Sequence, residues 1–330
     1  MSQSQQIKEI TDKLEQGIKD LFESDNYKNY LKTMSKFTSY SLNNTLLIAM
    51  QKPDATLVAS YGTWKKNFNR QVLKGSKSIK IICPCPYKKK VETEITDTDG
   101  KIILGKDGKP LTEESEKVLM GFKVANVFDV SCTSGEDLPT LTHKLDGTVD
   151  NYNDFFEAIK QFSPVPIEFK PIDGNANGFY HLVDKNIIID DSMSQMMNCK
   201  TAIHELAHAL LHDRDNGLEK DAHLDKNSKE VQAESIAYSV LQYYNNIGIG
   251  IDTSDYSFGY ILGWSSGKDL KELKASLEII RQTTQIIING IDQKLDAIRQ
   301  SKQITMDDSI SKNIDALTKS EPTHNRSMKH

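Results

Sequence analysis

Residues 201–212 read TAIHELAHALLH, and this stretch decides how the second half of the chain is interpreted. Its apolar residues recur at helical spacing, so the segment is predicted to be a largely buried helix. Residues four apart lie on one face of a helix, so His204 and His208 can bind one Zn²⁺ through imidazole nitrogens. Glu205 lies about a hundred degrees around the helix, where its carboxylate can reach a metal-bound water. The competing interpretation is a core helix with two incidental histidines.

A catalytic zinc ion usually takes three protein ligands and leaves one position for water. Residues 229–238 read KEVQAESIAY, and Glu230 and Glu234 lie four apart on a second predicted helix. A carboxylate 22 residues after His208 fits the gluzincin arrangement, in which a second helix supplies the third ligand. We therefore predict Glu230 as the ligand and Glu234 as the residue that orients a ligating histidine through a hydrogen bond. Three alternatives stay open: the glutamates exchange roles, His212 is the third ligand, or the glutamates only form a solvated face.

The chemistry of such a site is metal-assisted hydrolysis. Zn²⁺ lowers the pKa of a bound water towards about 7 and polarises a substrate carbonyl. Glu205 then acts as the general base on the water and passes the proton to the leaving amine. The motif therefore predicts a zinc metallopeptidase with a protein substrate.

A second motif lies in residues 55–91, which contain nine basic residues and no acidic one. The basic residues are Lys65, Lys66, Arg70, Lys74, Lys77, Lys80, Lys88, Lys89 and Lys90. Tyr61, Trp64, Phe68 and Tyr87 are interleaved with them. Phosphates attract cations and unstacked bases attract aromatic faces, so this combination indicates single-stranded nucleic acid as a partner. The alternative is a solvated basic surface, with Trp64 and Phe68 in the core.

Length, composition and charge exclude several classes of protein. The chain has 330 residues, enough for about two domains. With 38% hydrophobic and 26% charged residues it is neither wholly disordered nor an integral membrane protein. The net charge of −5 gives no global signal for nucleic acid, so any such signal is local. The first residues form no apolar signal segment, and the chain is expected to be cytoplasmic. No glycine-rich phosphate loop is present, so no nucleotide cofactor is expected.

The order of the patterns predicts an α+β fold. Helical spacing is clear near both ends of the chain, short strand-like runs follow residue 56, and residues 92–117 have the composition of a hairpin or insertion. The predicted divisions are 1–135 for a nucleic-acid-binding domain, 150–253 for a metallopeptidase domain, 254–300 for a helical extension, and 301–330 for a disordered polar tail.

Several blocks of the first domain point to a known family. Residues 40–48 read YSLNNTLLI, and residues 51–56, 61–64, 74–81 and 127–135 continue the likeness. They resemble the N-terminal single-stranded-DNA-binding domain of ArdC-type antirestriction proteins. The second half is similar to the zincin-like metallopeptidase domain that follows it in this family, and in LtrC-like proteins of mobile elements. The resemblance implies DNA contacts at Trp64, Arg70, Lys74 and Lys77, and it supports His204, Glu205 and His208 as site residues. Lys65, Lys66 and Lys80 of the same basic stretch are predicted DNA contacts as well.

The resemblance implies a protein that shields the DNA of a mobile or conjugative element during transfer. The predicted role of the first domain is then to hold the peptidase domain on transferred DNA. One alternative is a regulatory zinc protease that cleaves a repressor-type protein. Another alternative is a non-catalytic DNA-binding protein in which the metal ion is structural and only stabilises the fold.

Overall fold

The computed structural model of the protein describes residues 3–22, 24–105, 108–138, 149–174, 176–219, 223–249 and 261–319. The helices are α1 (Gln3–Leu21), α2 (Ser24–Lys36), α3 (Leu42–Gln51), α4 (Tyr61–Asn67), α5 (Val149–Phe162), α6 (Gln195–His212), α7 (Lys226–Asn246), α8 (Ile261–Ser265) and α9 (Leu270–Lys319). The strands are β1 (Val58–Ser60), β2 (Arg70–Val72), β3 (Ile79–Glu94), β4 (Thr112–Asp129), β5 (Thr133–Gly135), β6 (Ile167–Lys170), β7 (Gly178–His181) and β8 (Asn186–Asp190). This mixture of helices and strands confirms the predicted α+β fold.

The chain divides into two compact units. The N-terminal unit comprises Met1–Thr33 and Tyr40–Pro139, and the C-terminal unit comprises Met34–Ser39 and Thr140–His330. Within the described residues, no helix is long and apolar enough to cross a membrane.

The N-terminal unit is built on an antiparallel sheet in the order β1-β4-β3. Ile79, Ile81 and Val127 are buried at its base, where they contribute to the core. A smaller sheet pairs β2 with β5. The β3 edge is covered by α3, because side-chain amides of the helix bond to its backbone. Asn44 exchanges two hydrogen bonds of 2.9 Å with Ile82, and Gln51 exchanges two of 2.9 Å with Lys80. These contacts satisfy strand groups that would otherwise stay unpaired at an edge.

A long two-stranded ribbon extends from this sheet. β3 and β4 remain paired from Ile79 opposite Val127 out to Glu94 opposite Thr112. Between the paired strands, two isolated bridges each close a separate short loop, one from Thr96 to Ile102 and the other from Leu104 to Pro110. The segment 92–117 is therefore a hairpin, as its composition predicts.

The C-terminal unit packs helices around a three-stranded sheet in the order β6-β8-β7. β8 is its buried centre, since Ile187 and Ile189 have no exposed surface, and β7 pairs with it antiparallel. β7 and β8 contact α6, and α6 contacts α7. α6 therefore packs directly on the sheet, and α7 packs on α6.

The last described helix is longer than the sequence predicts. We expect a helix over 269–299 and a disordered tail from residue 301, whereas α9 continues to Lys319. Its first half carries the buried residues that specify it, including Leu277, Ile280 and Ile291. Ile310, Ile314 and Leu317 recur at helical spacing beyond residue 300, but polar residues outnumber them there, and the prediction of a tail therefore misses the continuation of the helix. Residues 320–330 lie outside the described residues.

Candidate metal centre and nucleic-acid interface

The two site helices begin at well-formed caps. Ser194 caps α6 by accepting a hydrogen bond from the amide of Met197, and Asp225 caps α7 by accepting one of 2.6 Å from the amide of Ser228. Such caps satisfy amides that have no partner in the helix. Both helices are buried over most of their length. Histidines and carboxylates on the facing turns are therefore held at fixed positions.

Three side chains converge where α6 faces α7. His204 Nε2 lies 3.2 Å from His208 Nε2 and 3.4 Å from a carboxylate oxygen of Glu230. The same Glu230 oxygen lies 3.8 Å from His208 Nε2. Each residue thus turns one potential ligand atom to a common point.

These spacings suit a tetrahedral divalent metal. Ligand bonds of about 2.0–2.1 Å at tetrahedral angles place ligand atoms about 3.3 Å apart, close to the three observed distances. The donor set of two imidazole nitrogens and one carboxylate oxygen is a common one for a catalytic zinc ion. The residues therefore fit a metal of this type, with His204, His208 and Glu230 as the residues that would hold it.

The other glutamate on this face orients His204. Glu234 Oε2 lies 3.1 Å from His204 Nδ1, and Lys200 holds the other Glu234 oxygen at 3.0 Å. Burial opposes protonation of His204, but Glu230 and Glu234 raise its pKa to about 9. Hydrogen bonds from His204 and His208 hold the pKa of Glu230 well below its ordinary value. The site thus favours positive charge, and a metal ion bound there would displace a proton.

His212 faces His208 rather than the point where the ligand atoms meet. Its Nδ1 lies 3.0 Å from His208 Nδ1, and its Nε2 lies 2.8 Å from the side-chain oxygen of Gln232. Burial lowers the pKa of His212 to about 4, so it is neutral at pH 7. A neutral imidazole has one donor nitrogen and one acceptor nitrogen. His212 donates from Nε2 to the Gln232 oxygen, so its Nδ1 accepts a hydrogen bond from Nδ1 of His208. This arrangement frees His208 Nε2 for a metal. It corrects the alternative of His212 as a third ligand, because both of its nitrogens already have partners.

Glu205 is 9% exposed and is fixed from the neighbouring sheet. One carboxylate oxygen accepts a 2.8 Å hydrogen bond from the backbone amide of Tyr180 on β7. Tyr180 is held in turn, because its hydroxyl donates to Asp213 at 2.6 Å. Lys185 pairs with Asp213 as well, and with Asp215 at 2.8 Å. Sequence patterns do not predict this Tyr180–Asp213–Lys185 cluster, because its members come from a strand, a hairpin turn and a helix end with no fixed spacing.

In the N-terminal unit, five of the predicted DNA contacts are exposed on the surface. They are Lys65, Lys66, Lys74, Lys77 and Lys80. Lys65 and Lys66 lie in the last turn of α4. Lys80 lies on β3 beside a cleft of about 530 Å³ that Lys13 of α1 also lines. These ammonium groups are available to phosphates.

Trp64 and Arg70 require a correction. Trp64 has no exposed surface, and its indole nitrogen donates a 2.8 Å hydrogen bond to the carbonyl of Phe128. Its ring therefore belongs to the core and cannot stack on a base. The Arg70 guanidinium donates to the hydroxyl of Thr133 at 2.8 Å, to the carbonyl of Thr133 at 3.1 Å and to the carbonyl of Glu136. Arg70 thus joins β2 to β5 instead of presenting a free guanidinium to a phosphate.

Both units match known protein families. Residues 2–128 match the model of the N-terminal domain of anti-restriction factor ArdC. Residues 163–242 match the model of the IrrE N-terminal-like domain, a peptidase family of type M78. The second match contains α6 and α7, and therefore the three converging side chains.

Individual proteins give more distant likenesses. The uncharacterized protein pXO2-81 of Bacillus anthracis is 28% identical over 335 aligned positions, which cover 91% of this chain and 53% of that protein. The chain thus spans about half the length of this relative. Among solved structures, the metal-free antirestriction protein ArdC from plasmid R388 is 17% identical, with a TM-score of 0.47, over 78% of this chain and 86% of that chain. The Mn(II)-bound form of the same protein gives 17% identity and a TM-score of 0.42 over 78% and 85% of the two chains. From the family matches, the chain combines an N-terminal domain of the ArdC anti-restriction type with an IrrE-like peptidase-family domain, as its sequence predicts.

Proposed function

We propose that the C-terminal unit is a zinc metallopeptidase and that the N-terminal unit binds single-stranded DNA. The observation that carries the first part is the convergence of His204, His208 and Glu230, with ligand atoms 3.2–3.8 Å apart. Glu205 follows His204 on the same helix, and its carboxylate acts electrostatically on that histidine. A zinc ion held there would supply an activated water and a positive charge against a substrate carbonyl.

The protein's own side chains carry out the proton transfers and orient the histidine rings. The Tyr180 amide keeps one oxygen of Glu205 engaged, which leaves the other free to accept a proton from the attacking water. Glu205 then returns that proton to the leaving amine. Glu234 and His212 hold the two histidine rings in the orientation that turns Nε2 to the ligand point. We expect each of these roles to be separable by substitution.

The DNA-binding part is supported by the ArdC-type domain and by the exposed lysines of the N-terminal unit. Lysines attract the phosphates of a single strand, and counterion release makes such binding depend steeply on salt. In this proposal the chain protects incoming single-stranded DNA of a mobile element from restriction, and its peptidase unit acts on a protein near that DNA.

The test uses the intact protein and a Glu205→Gln variant. Gln keeps the size and the hydrogen bond from Tyr180 but cannot act as a base. With zinc bound, wild type should cleave an unfolded protein substrate such as casein, and Glu205→Gln should be slower by at least about a hundredfold at equal metal content. Equal cleavage by both proteins would contradict hydrolysis at this site. Single-strand affinity that does not change with salt would contradict the DNA-binding part.

A further inference from the structure

The ribbon formed by β3 and β4 presents two chemically different faces. Directly paired residues of an antiparallel ribbon share a face, and alternate residues along a strand lie on opposite faces. One face carries Lys88 and Lys90, each neutralised across the strands. Lys88 lies 3.0 Å from Glu116, and Lys90 lies 3.0 Å from Glu114. Glu92 and Glu94 lie on this face too, so between residues 88 and 94 it carries more glutamates than lysines, and its other exposed residues include the apolar Val118 and Met120.

The opposite face is cationic, and we call it the lysine face. Its β3 positions are Cys83, Cys85, Tyr87, Lys89 and Val91, and its paired β4 positions are Lys123, Gly121, Leu119, Lys117 and Ser115. None of these positions is acidic, and Glu113 in the next pair towards the tip is the one carboxylate that this face carries in the β3–β4 ladder. Among the described residues, no carboxylate oxygen lies within 4.0 Å of the ammonium groups of Lys89, Lys117 or Lys123. Lys89 and Lys117 are direct cross-strand partners, and like charges so placed repel each other.

Tyr87 adds an aromatic platform to the lysine face. Its ring lies beside Gly121, where a Cβ atom added to the glycine would come within 3.2 Å of the ring. The missing side chain at residue 121 thus lets the ring lie close to the strand. Tyr87 is nevertheless 50% exposed, so part of the ring remains open to solvent. An aromatic ring next to unpaired cations is the combination that binds a base together with its flanking phosphates.

We propose that the lysine face binds single-stranded DNA, with Tyr87 stacking on a base and Lys89, Lys117 and Lys123 contacting phosphates. The proposal rests on the proposed DNA-binding function and locates part of its surface. A polyanion would relieve the repulsion between Lys89 and Lys117, whereas the opposite face offers it only lysines already paired with glutamates. From Lys117 to Lys123 the face extends roughly 20 Å along β4, enough for several nucleotides.

The test compares two double variants that remove the same charge from opposite faces. Affinity for a fluorescent oligothymidylate of about 20 nucleotides is measured by anisotropy over a range of salt concentrations. Lys89→Ala/Lys117→Ala should bind at least about tenfold more weakly at low salt, and its slope of log affinity against log salt should be shallower by about 1.4. Lys88→Ala/Lys90→Ala is the matched control and should keep the wild-type slope.

A second pair of variants tests the ring. Tyr87→Phe should bind within about twofold of wild type, whereas Tyr87→Ala should lose about fivefold or more. Thermal unfolding midpoints equal to wild type would show that these exposed substitutions leave the fold intact. If wild type binds but the two double variants weaken binding equally, or Tyr87→Ala binds like wild type, the lysine face is not the surface. If wild type itself does not bind, the DNA-binding function fails, and this inference fails with it.

Discussion

His204 and His208 of the candidate metal centre are oriented by two different kinds of partner, one charged and one neutral. Behind His204 lies the carboxylate of Glu234, whereas behind His208 lies the neutral ring of His212. A carboxylate partner makes an imidazole a more basic ligand, and a neutral partner fixes its orientation with less effect on its charge. Glu234 and His212, which lie outside the group of three converging side chains, therefore help to set the geometry and the charge balance of the candidate site.

The His208–His212 contact gives a prediction at this scale. His212→Phe keeps an aromatic ring of similar size but removes the acceptor for His208 Nδ1. Because this acceptor fixes which nitrogen of His208 faces the metal, we expect zinc affinity to fall about 10- to 100-fold. Competition with a chromophoric chelator measures the change, and His208→Ala should lose binding almost completely. His212→Phe binding as tightly as wild type would show that the contact has no role.

Single residues also show what a sequence can and cannot predict. The spacing of His204 and His208 follows from helix geometry, so their convergence can be predicted without coordinates. The contrast between Glu230 at the ligand point and Glu234 behind His204 depends on how α7 is rotated against α6, which no local spacing specifies. The prediction for Trp64 is wrong because an aromatic between lysines has the same sequence pattern whether it faces solvent or the core.

At the scale of elements, a buried carboxylate at the end of β4 holds the two residues that lead into β1. Asp129, 2% exposed, accepts hydrogen bonds from the amides of Thr56 at 2.8 Å, Leu57 at 3.3 Å and Ser131 at 3.0 Å. Burial opposes the charged form, but a hydrogen bond from the Ser131 side chain and these three backbone bonds outweigh it and lower the pKa of Asp129. The ionised side chain therefore stabilises the end of the central strand.

This depressed pKa predicts a pH dependence. The carboxylate's contribution is complete above its pKa in the unfolded chain, about 3.9, and is lost as pH falls through the lower pKa of the folded state. At pH 7, Asp129→Asn should lower the free energy of unfolding by about 1–3 kcal/mol, since one amide loses its acceptor. At pH 3 and below, the difference between the two proteins should shrink.

Urea unfolding followed by Trp64 fluorescence measures this difference. The only other tryptophan is Trp264 in the C-terminal unit, so a Trp264→Phe background isolates the signal of the N-terminal unit. Asp137→Asn, which makes the same change at an exposed position of the same unit, is the matched control. A stability difference that stays constant from pH 7 to pH 3 would mean that folding does not lower the pKa of Asp129.

Elements also differ in how well the sequence predicts them. α6 and α7 follow from apolar periodicity and clear caps. The sequence does not predict α4, because its seven residues are too few to show a helical period. The pairing of β3 with β4 can be predicted from strand-like runs on either side of a turn-rich segment. Which charged residues share a face of the ribbon depends on the pairing register of the two strands, which the sequence does not specify.

At the scale of the whole molecule, the two proposed activities belong to separate compact units. Removing the metal with a chelator should lower the thermal stability of the C-terminal unit, because a ligand that binds only the folded state stabilises it. Affinity for single-stranded DNA should stay within about twofold, since the lysine face lies in the N-terminal unit. Calorimetry and anisotropy on the same chelated sample test both statements. A large loss of DNA affinity would show that the units are coupled.

The central claim is that His204, His208 and Glu230 hold one catalytic-type metal ion, with Glu234 acting through His204. Metal content by mass spectrometry tests it most directly, after equilibration of each protein with zinc and removal of the free ion. We expect about one zinc per chain in wild type, close to none in Glu230→Ala, and a weaker but measurable load in Glu234→Ala. Wild-type zinc content in Glu230→Ala, or no zinc in wild type, would contradict the claim.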